Sequence, residues 1–185
     1  MKINSGLLVL LIPLFSLAQI STKKSTDFTN LNAKTEGNYT TQSVQLSLKT
    51  AFQITDQARE AAKSLGKNVT IAVLDASGQI IILTRDDEVG PHNTEAARRK
   101  AYTALSTKTP TLLLSRNARL NPDTQNLATL PELLLLGGGF PLWHNGKVIG
   151  SIGIAGGGSP ENDDLIAKSG AIATAQLINL KHKQK

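Results

Sequence analysis

The sequence predicts a single α/β-sandwich domain over about Val44–Leu180, with helices flanking a five-stranded antiparallel sheet. Three observations predict it. Two apolar strand pairs are joined by tight-turn signals, at Asp75-Ala76-Ser77-Gly78 and at His144-Asn145-Gly146. Helix-length segments with capping residues stand before, between and after these pairs. The composition, 40% hydrophobic and 18% charged, supplies a core and excludes a disordered chain.

Each element has its own reason. Ser47 is placed to cap a helix over Leu48–Leu65. In it Leu48, Ala51, Phe52, Thr55, Ala58, Ala62 and Leu65 recur at three- and four-residue spacing, and Gly66 occupies the C′ position. Val69–Leu74 and Gln79–Thr84 are β-branched, apolar runs and form a hairpin. Both are apolar at nearly every position, which implies a sheet covered on both faces, at least in the middle. A loop over Asp86–Asn93 contains Gly90-Pro91, and Asn93 or Thr94 can cap a helix over about Glu95–Ser106. Thr109-Pro110 restarts the chain into a short helix, Thr111–Arg119. Asn121-Pro122-Asp123 breaks it, and loop follows to Leu130. Glu132–Leu136 reads as a strand or as the end of a helix, since periodicity alone does not separate the two. After Gly137-Gly138-Gly139 come the strand Phe140–Trp143, the Asn-Gly turn and the strand Val148–Ala155. Ser159 as cap, Pro160 at the first helical position and Glu161, Asp163 and Asp164 in the first turn open a helix that runs to about Leu180.

The ends of the chain account for its charge. Residues 1–18 read as a secretory signal peptide: Lys2, an apolar run over Leu7–Phe15, then Ser16-Leu17-Ala18 as a cleavage site before Gln19. The run is too short to span a membrane, so export to the periplasm or the exterior is expected, with no membrane span after removal. Residues 19–45 are polar and read as a flexible leader, and residues 181–185 as a basic tail. The formal charge is +6. Removing Lys2, the leader's net +1 and the tail's three Lys leaves +1 over residues 46–180. That near-neutral domain, poor in aromatics, argues against nucleic acid as a partner. The chain has no Cys, which excludes disulfides, thiolate nucleophiles and Cys-ligated metals, and its one Met is Met1.

Three segments carry a family resemblance: Lys-Ala-x-Thr-Ala at Lys100–Ala104, Gly-Gly-Gly-Phe-Pro-Leu at Gly137–Leu142, and Gly-x-Ile-Gly-Ile…Ser-Pro-x-x-Asp over Gly150–Asp163. Each is weak alone; together, in order and with fitting spacing, they resemble the GlcG/HbpS (haem-binding protein) family over nearly all of residues 46–180. The resemblance implies a profilin-like fold, homo-oligomers, and haem and iron binding in some members, exported ones included. Other members accompany glycolate oxidation genes, and a related domain is fused to corrinoid adenosyltransferases. Haem or another tetrapyrrole is therefore the expected ligand, with sequestration or sensing of haem or iron as the role. A small-molecule enzyme or accessory protein for a 2-hydroxy acid or corrinoid, and a ligand-free assembly module, are the alternatives.

Haem iron takes His, Met, Cys or Tyr. That leaves His92, His144, His182, Tyr39 and Tyr102. His182 and Tyr39 fall in the tails, and Tyr102 reads as a core or subunit contact. His92, between Gly90-Pro91 and a helix start, is the better-placed candidate, as a ligand or as a solvated loop residue; His144, at a hairpin tip, is a second candidate or a solvated turn residue. The propionates call for cations. Arg98, Arg99 and Lys100 share one helical turn but diverge by about 100° per residue, so not all face one ligand. Arg98 and Lys100 are taken as binding candidates, and Thr103, Gly138, Gly139 and Pro141 join them from the family-like segments. The glycines admit close approach of a flat ligand or of another subunit. Gly150, Gly153 and Gly156 imitate a dinucleotide fingerprint but lie in a strand, so that reading is rejected. Glu161, Asp163 and Asp164 read as helix-start acids or as a cation site, and an Asp75–Asp163 acid/base pair has no spacing to support it. No catalytic constellation stands out, and a binding role is favoured over an enzymatic one.

Overall fold

A computed structural model describes residues 41–182, with side chains as far as residue 172. The signal peptide, most of the leader, Tyr39 and the side chain of His182 lie outside the described residues. The elements in chain order are α1 (Leu48–Ser64), β1 (Thr70–Asp75), β2 (Ile80–Arg85), α2 (His92–Thr107), α3 (Thr111–Leu120), the single turn α4 (Pro122–Gln125), a 3-10 turn (Asn126–Thr129), β3 (Gly139–His144), β4 (Lys147–Ala155) and α5 (Pro160–His182). The four strands form one antiparallel sheet in the order β2-β1-β4-β3.

Local chemistry explains most boundaries. Ser47 Oγ accepts the Thr50 N–H at 3.2 Å and starts α1. Gly66, at φ +64°, ends it. In the β1–β2 turn, Asp75 Oδ1 accepts the Ser77 and Gln79 N–H groups at 2.8 and 3.0 Å. Asn145 (φ +48°) and Gly146 (φ +74°) supply the two positive dihedrals that a two-residue hairpin turn of this twist demands. Ser159 Oγ accepts the Asn162 N–H at 3.1 Å and caps α5.

Layers form on both sides of the sheet. On one, Ile54, Ala58, Ala62, Ile166 and Ala167 from α1 and α5 pack on Ile71, Val73, Ile82, Leu142, Ile152 and Ile154. On the other, Ala97 and Ala101 of α2 pack on Ala72, Leu74 and Ala155. A second feature brings α2 down onto the sheet. Gly139 and Gly153 are cross-strand partners. A Cβ on Gly153 would strike the Ala97 carbonyl, and one on Gly139 the Lys100 carbonyl. The helix backbone therefore rests directly on a side-chain-free patch of β3 and β4.

Four expectations change. The sheet has four strands, not five: Glu132–Leu136 forms turns, with Leu133 N–H bonded to Leu130 O and Leu136 N–H to Leu134 O. Two more of its backbone groups are taken by α2, since Leu134 N–H donates to Thr103 Oγ1 (2.8 Å) and Leu133 O accepts from Arg99 (2.7 Å), and these bonds replace a ladder there. β2 is not covered on both faces. It is an edge strand, and Ile80 and Leu83 are exposed while only Ile82 is buried. α2 begins at His92 with Pro91 as its cap residue, because Pro91 already holds a helical φ and Asn93 Nδ2 bonds back to Gly90 O instead of capping. Finally, the expected loop after Asn121 contains α4, which Asn121 caps (Asp123 N–H to Oδ1, 3.0 Å) with Pro122 at the first position, and then a 3-10 turn.

Candidate functional site

A cavity of about 320 Å³ opens where three chain ends meet: the start of α2, the end of β4 and the start of α5. His92, Ala96 and Lys100 stand at four-residue intervals, so α2 presents them along one face of the cavity. Ala155 and Gly156 close it from β4, Gly158, Ser159, Pro160 and Asp163 from the α5 side, and Leu136 from the segment before β3. A volume near 300 Å³ is at the lower end for small-molecule pockets. An adjoining cavity of about 370 Å³, lined by Lys67, Asn68, Glu88, Val89 and Gly90 among others, shares Asn93 and Gly156 with it.

The floor is a buried ion pair. Lys100 Nζ donates to Asp163 Oδ2 at 2.7 Å and to Ile154 O at 3.0 Å. Asp163 Oδ1 accepts the Gly157 N–H at 2.7 Å. The two side chains are 2% and 7% exposed, so neither charge is solvated and each depends on the other. The pair ties α2, β4 and α5 together, and the first turn of α5 suits its carboxylate. At the mouth, His92 is exposed and its ring packs over Gly90, where a Cβ would lie 3.0 Å from Cε1 and 3.1 Å from Nδ1. Gly90 thus makes the room the imidazole occupies.

His92 and Lys100, named from the sequence, meet in this cavity; the other candidates do not join them in its lining. Lys100 has its charge met by Asp163. Arg98 donates to Glu95 at 2.9 and 2.7 Å and to Glu132 at 2.9 Å. Those bonds raise the Arg98 pKa and hold the Glu95 carboxyl below its usual range. Arg99 reaches the Leu133 carbonyl and leaves its Nε buried without a partner. Thr103 Oγ1 donates to Arg99 O and accepts from Leu134 N, so it holds the segment before β3. A Cβ on Gly138 would meet Ile154 O at 2.5 Å and Asp163 Cβ at 2.7 Å. The partner for which Gly138 and Gly139 make room is thus the chain itself. Pro141 is buried in edge strand β3 opposite Ser151.

His144 ends β3, half-buried and opposite Lys147, and five strand residues carry it roughly 17 Å from Gly139. It is not brought to His92. Tyr102 packs against the α2-side core, its ring 3.2 Å from where a Cβ on Gly78 would sit. Asp75 lies at the far end of β1, opposite Gly150, whereas the carboxylate of Asp163 sits beside Ile154 and Gly157, so the two make no acid/base pair. Glu161 pairs with Arg116 at 3.2 Å, and no group of three or more His, Asp or Glu that could hold a metal occurs among the described residues. Burial pushes the Asp164 carboxyl up, and its Oδ1 is buried without a hydrogen bond. Sequence reasoning missed Asn93, Gly156 and the Lys100–Asp163 contact. The 92/96/100 spacing was the available signal for the helix side; nothing local marks a contact across 63 residues.

Comparisons with known proteins fit this architecture. A family model described as haem degrading protein HbpS-like matches residues 46–172. A crystal structure of a double mutant of Streptomyces reticuli HbpS is similar with a TM-score of 0.69 at 35% identity, covering 74% of this chain and 92% of that one. A crystal structure of a PduOC–haem complex is similar with a TM-score of 0.63 at 33% identity, covering 70% of this chain and 95% of that one. The corrinoid adenosyltransferase PduO of Salmonella typhimurium is 33% identical over 132 residues, 70% of this chain, and the match spans only 39% of the PduO length. No helix among the described residues is long and apolar enough to cross a membrane.

Proposed function

The chain belongs to the HbpS-like family, and from that premise we propose that it binds haem or a closely related tetrapyrrole at the cleft headed by His92. The observation that carries this reading is the cleft's own chemistry: an exposed imidazole at the mouth of a small cavity walled by Ala96, Leu136, Ala155 and Pro160. An imidazole is a common axial group for haem iron, and apolar walls suit a porphyrin face, so the residues present fit the group. The solved PduOC–haem complex, alike over nearly its whole length, supports the same ligand class.

In this reading His92 offers the iron ligand and Gly90 sets its ring position. Ala96, Leu136, Ala155 and Pro160 would give a bound tetrapyrrole an apolar wall that excludes water. Lys100 and Asp163 hold the floor, and Arg98 and Thr103 fix the 130s segment that carries Leu136. Bound haem would supply a ligand-binding, redox-active iron. The reading extends to an exported homo-oligomer that sequesters or senses haem or iron, on the strength of the N-terminal pattern and of apolar residues left exposed, such as Phe52, Leu113 and Trp143. N-terminal sequencing of secreted protein should then start at Gln19, and native mass spectrometry should report more than one copy.

The decisive experiment is titration of the purified protein with haemin, followed by the Soret band. A saturable red shift is expected, reduced at least tenfold in affinity in His92→Ala and unchanged in His144→Ala. Absence of any shift with the wild-type chain overturns the haem reading. Cobalamin in the same titration separates a corrinoid from a haem site.

A further inference from the structure

Two observations outside the His92 cleft bear on one residue. The first is the position of Lys67. It follows Gly66 at the end of α1, and its N–H caps that helix through Ala62 O. Its side chain then reaches Gly158: a Cβ there would lie 3.5 Å from Lys67 Nζ and 3.7 Å from Cε. Gly158 lines the His92 cleft, while Lys67 lines the adjoining cavity, so the ammonium stands where the two meet. The second is its charge state among neighbours. Lys100 in the cleft has Asp163, and Arg98, Arg59, Arg116 and Lys63 each have a carboxylate within 4.0 Å; Lys67 has none among the described residues. Glu88, on the rim of the same cavity, does not reach it.

We infer that Lys67 is the specificity residue for the acidic edge of the ligand, receiving a carboxylate of the tetrapyrrole that lies across Asn93 and Gly156 from the His92 side. This rests on the haem reading above. A tetrapyrrole is too broad for a single cavity of about 320 Å³, and its carboxylate-bearing edge must leave the apolar walls. The adjoining cavity is the exit that shares a wall, and its unpaired cation is the group that an arriving carboxylate would otherwise lack. Of the cations suggested by sequence, Lys100 is paired with Asp163, and Arg98 is held by two carboxylates and lines neither cavity.

The test compares haemin with its propionate dimethyl ester, which keeps the iron and ring but removes both charges. The wild-type chain should prefer haemin by up to about fivefold, the range of one partly exposed ion pair. Lys67→Gln should lose that preference by weakening haemin alone. Lys67→Arg should keep it, and Lys63→Gln, a neighbouring lysine already paired with Glu60, should change nothing. A preference that survives in Lys67→Gln, or an equal loss for both porphyrins, overturns the assignment and leaves the haem reading standing. Failure of both porphyrins to bind the wild-type chain overturns the haem reading, and the assignment falls with it.

Discussion

The two faces of the sheet are built on opposite principles. Under α1 and α5 the interface is filled by volume: Ile54, Ile71, Val73, Ile152, Ile154 and Ile166 are fully buried and interdigitate. Under α2 it is filled by proximity, with alanines, the Gly139–Gly153 patch and one buried lysine. Aliphatic packing tolerates small changes of shape, because side chains repack. A helix backbone seated on glycine has no such slack. In exchange, the close approach carries Lys100 to Asp163 and leaves a cleft at the start of α2, beside the end of β4. The adaptable face stabilises the domain; the rigid face positions the candidate site.

The largest test of that contrast removes half of the ion pair. Asp163→Ala leaves the Lys100 ammonium buried and uncompensated and should cost about 3–5 kcal/mol by urea denaturation. Replacing both partners by apolar residues of similar size, Lys100→Met with Asp163→Leu, should recover much of that loss, because the penalty lies in the unpaired charge. If the double variant is as unstable as the single one, geometry rather than charge holds α2 in place. Next come the two opposite changes of one methyl group. Gly153→Ala adds one on the α2 side and should destabilise by about 1–3 kcal/mol. Ile54→Val deletes one on the α1 side and should cost about 0.5–1.5 kcal/mol. The addition should also perturb haemin binding and the deletion should not; equal effects on binding would erase the distinction between the faces.

The smallest effect concerns the second acid of α5. Asp164 has its pKa raised, chiefly by burial, so the folded state holds its proton to higher pH than the unfolded chain does. Between the unfolded and folded pKa values the native state binds more protons, so stability falls as pH rises through that window. Asp164→Asn should therefore raise the urea midpoint slightly at pH 7, with the gain vanishing below the unfolded value of 3.8. A gain that persists at low pH would assign the effect to something other than ionisation.

Local signals carried most of the fold. Ser47, Gly66, Asn145-Gly146 and Ser159-Pro160 each act within a few residues, and each marks its boundary in the structure. The Glu132–Leu136 run was illegible for the complementary reason. Four leucines specify burial and not a backbone partner, and only Leu133 is buried. Besides its local turn bonds, it is held by Arg99 and Thr103, more than 30 residues away. The edge position of β2 escaped in the same way: its apolar run reads as a central strand, but the order β2-β1-β4-β3 leaves it without a neighbour on one side.

For the site the division is sharper. The sequence alone determined the residue types available to a ligand, with no Cys and only three His; the structure, by starting α2 at His92, set His92, Ala96 and Lys100 on one helical face. Only the tertiary structure decided which cations were already committed. Lys100 is neutralised by Asp163, Arg98 by Glu95 and Glu132, and Lys67 is left at the junction of two cavities. A charge's availability depends on what folding brings within about 4 Å of it, and that distance is set by packing between elements far apart in the chain.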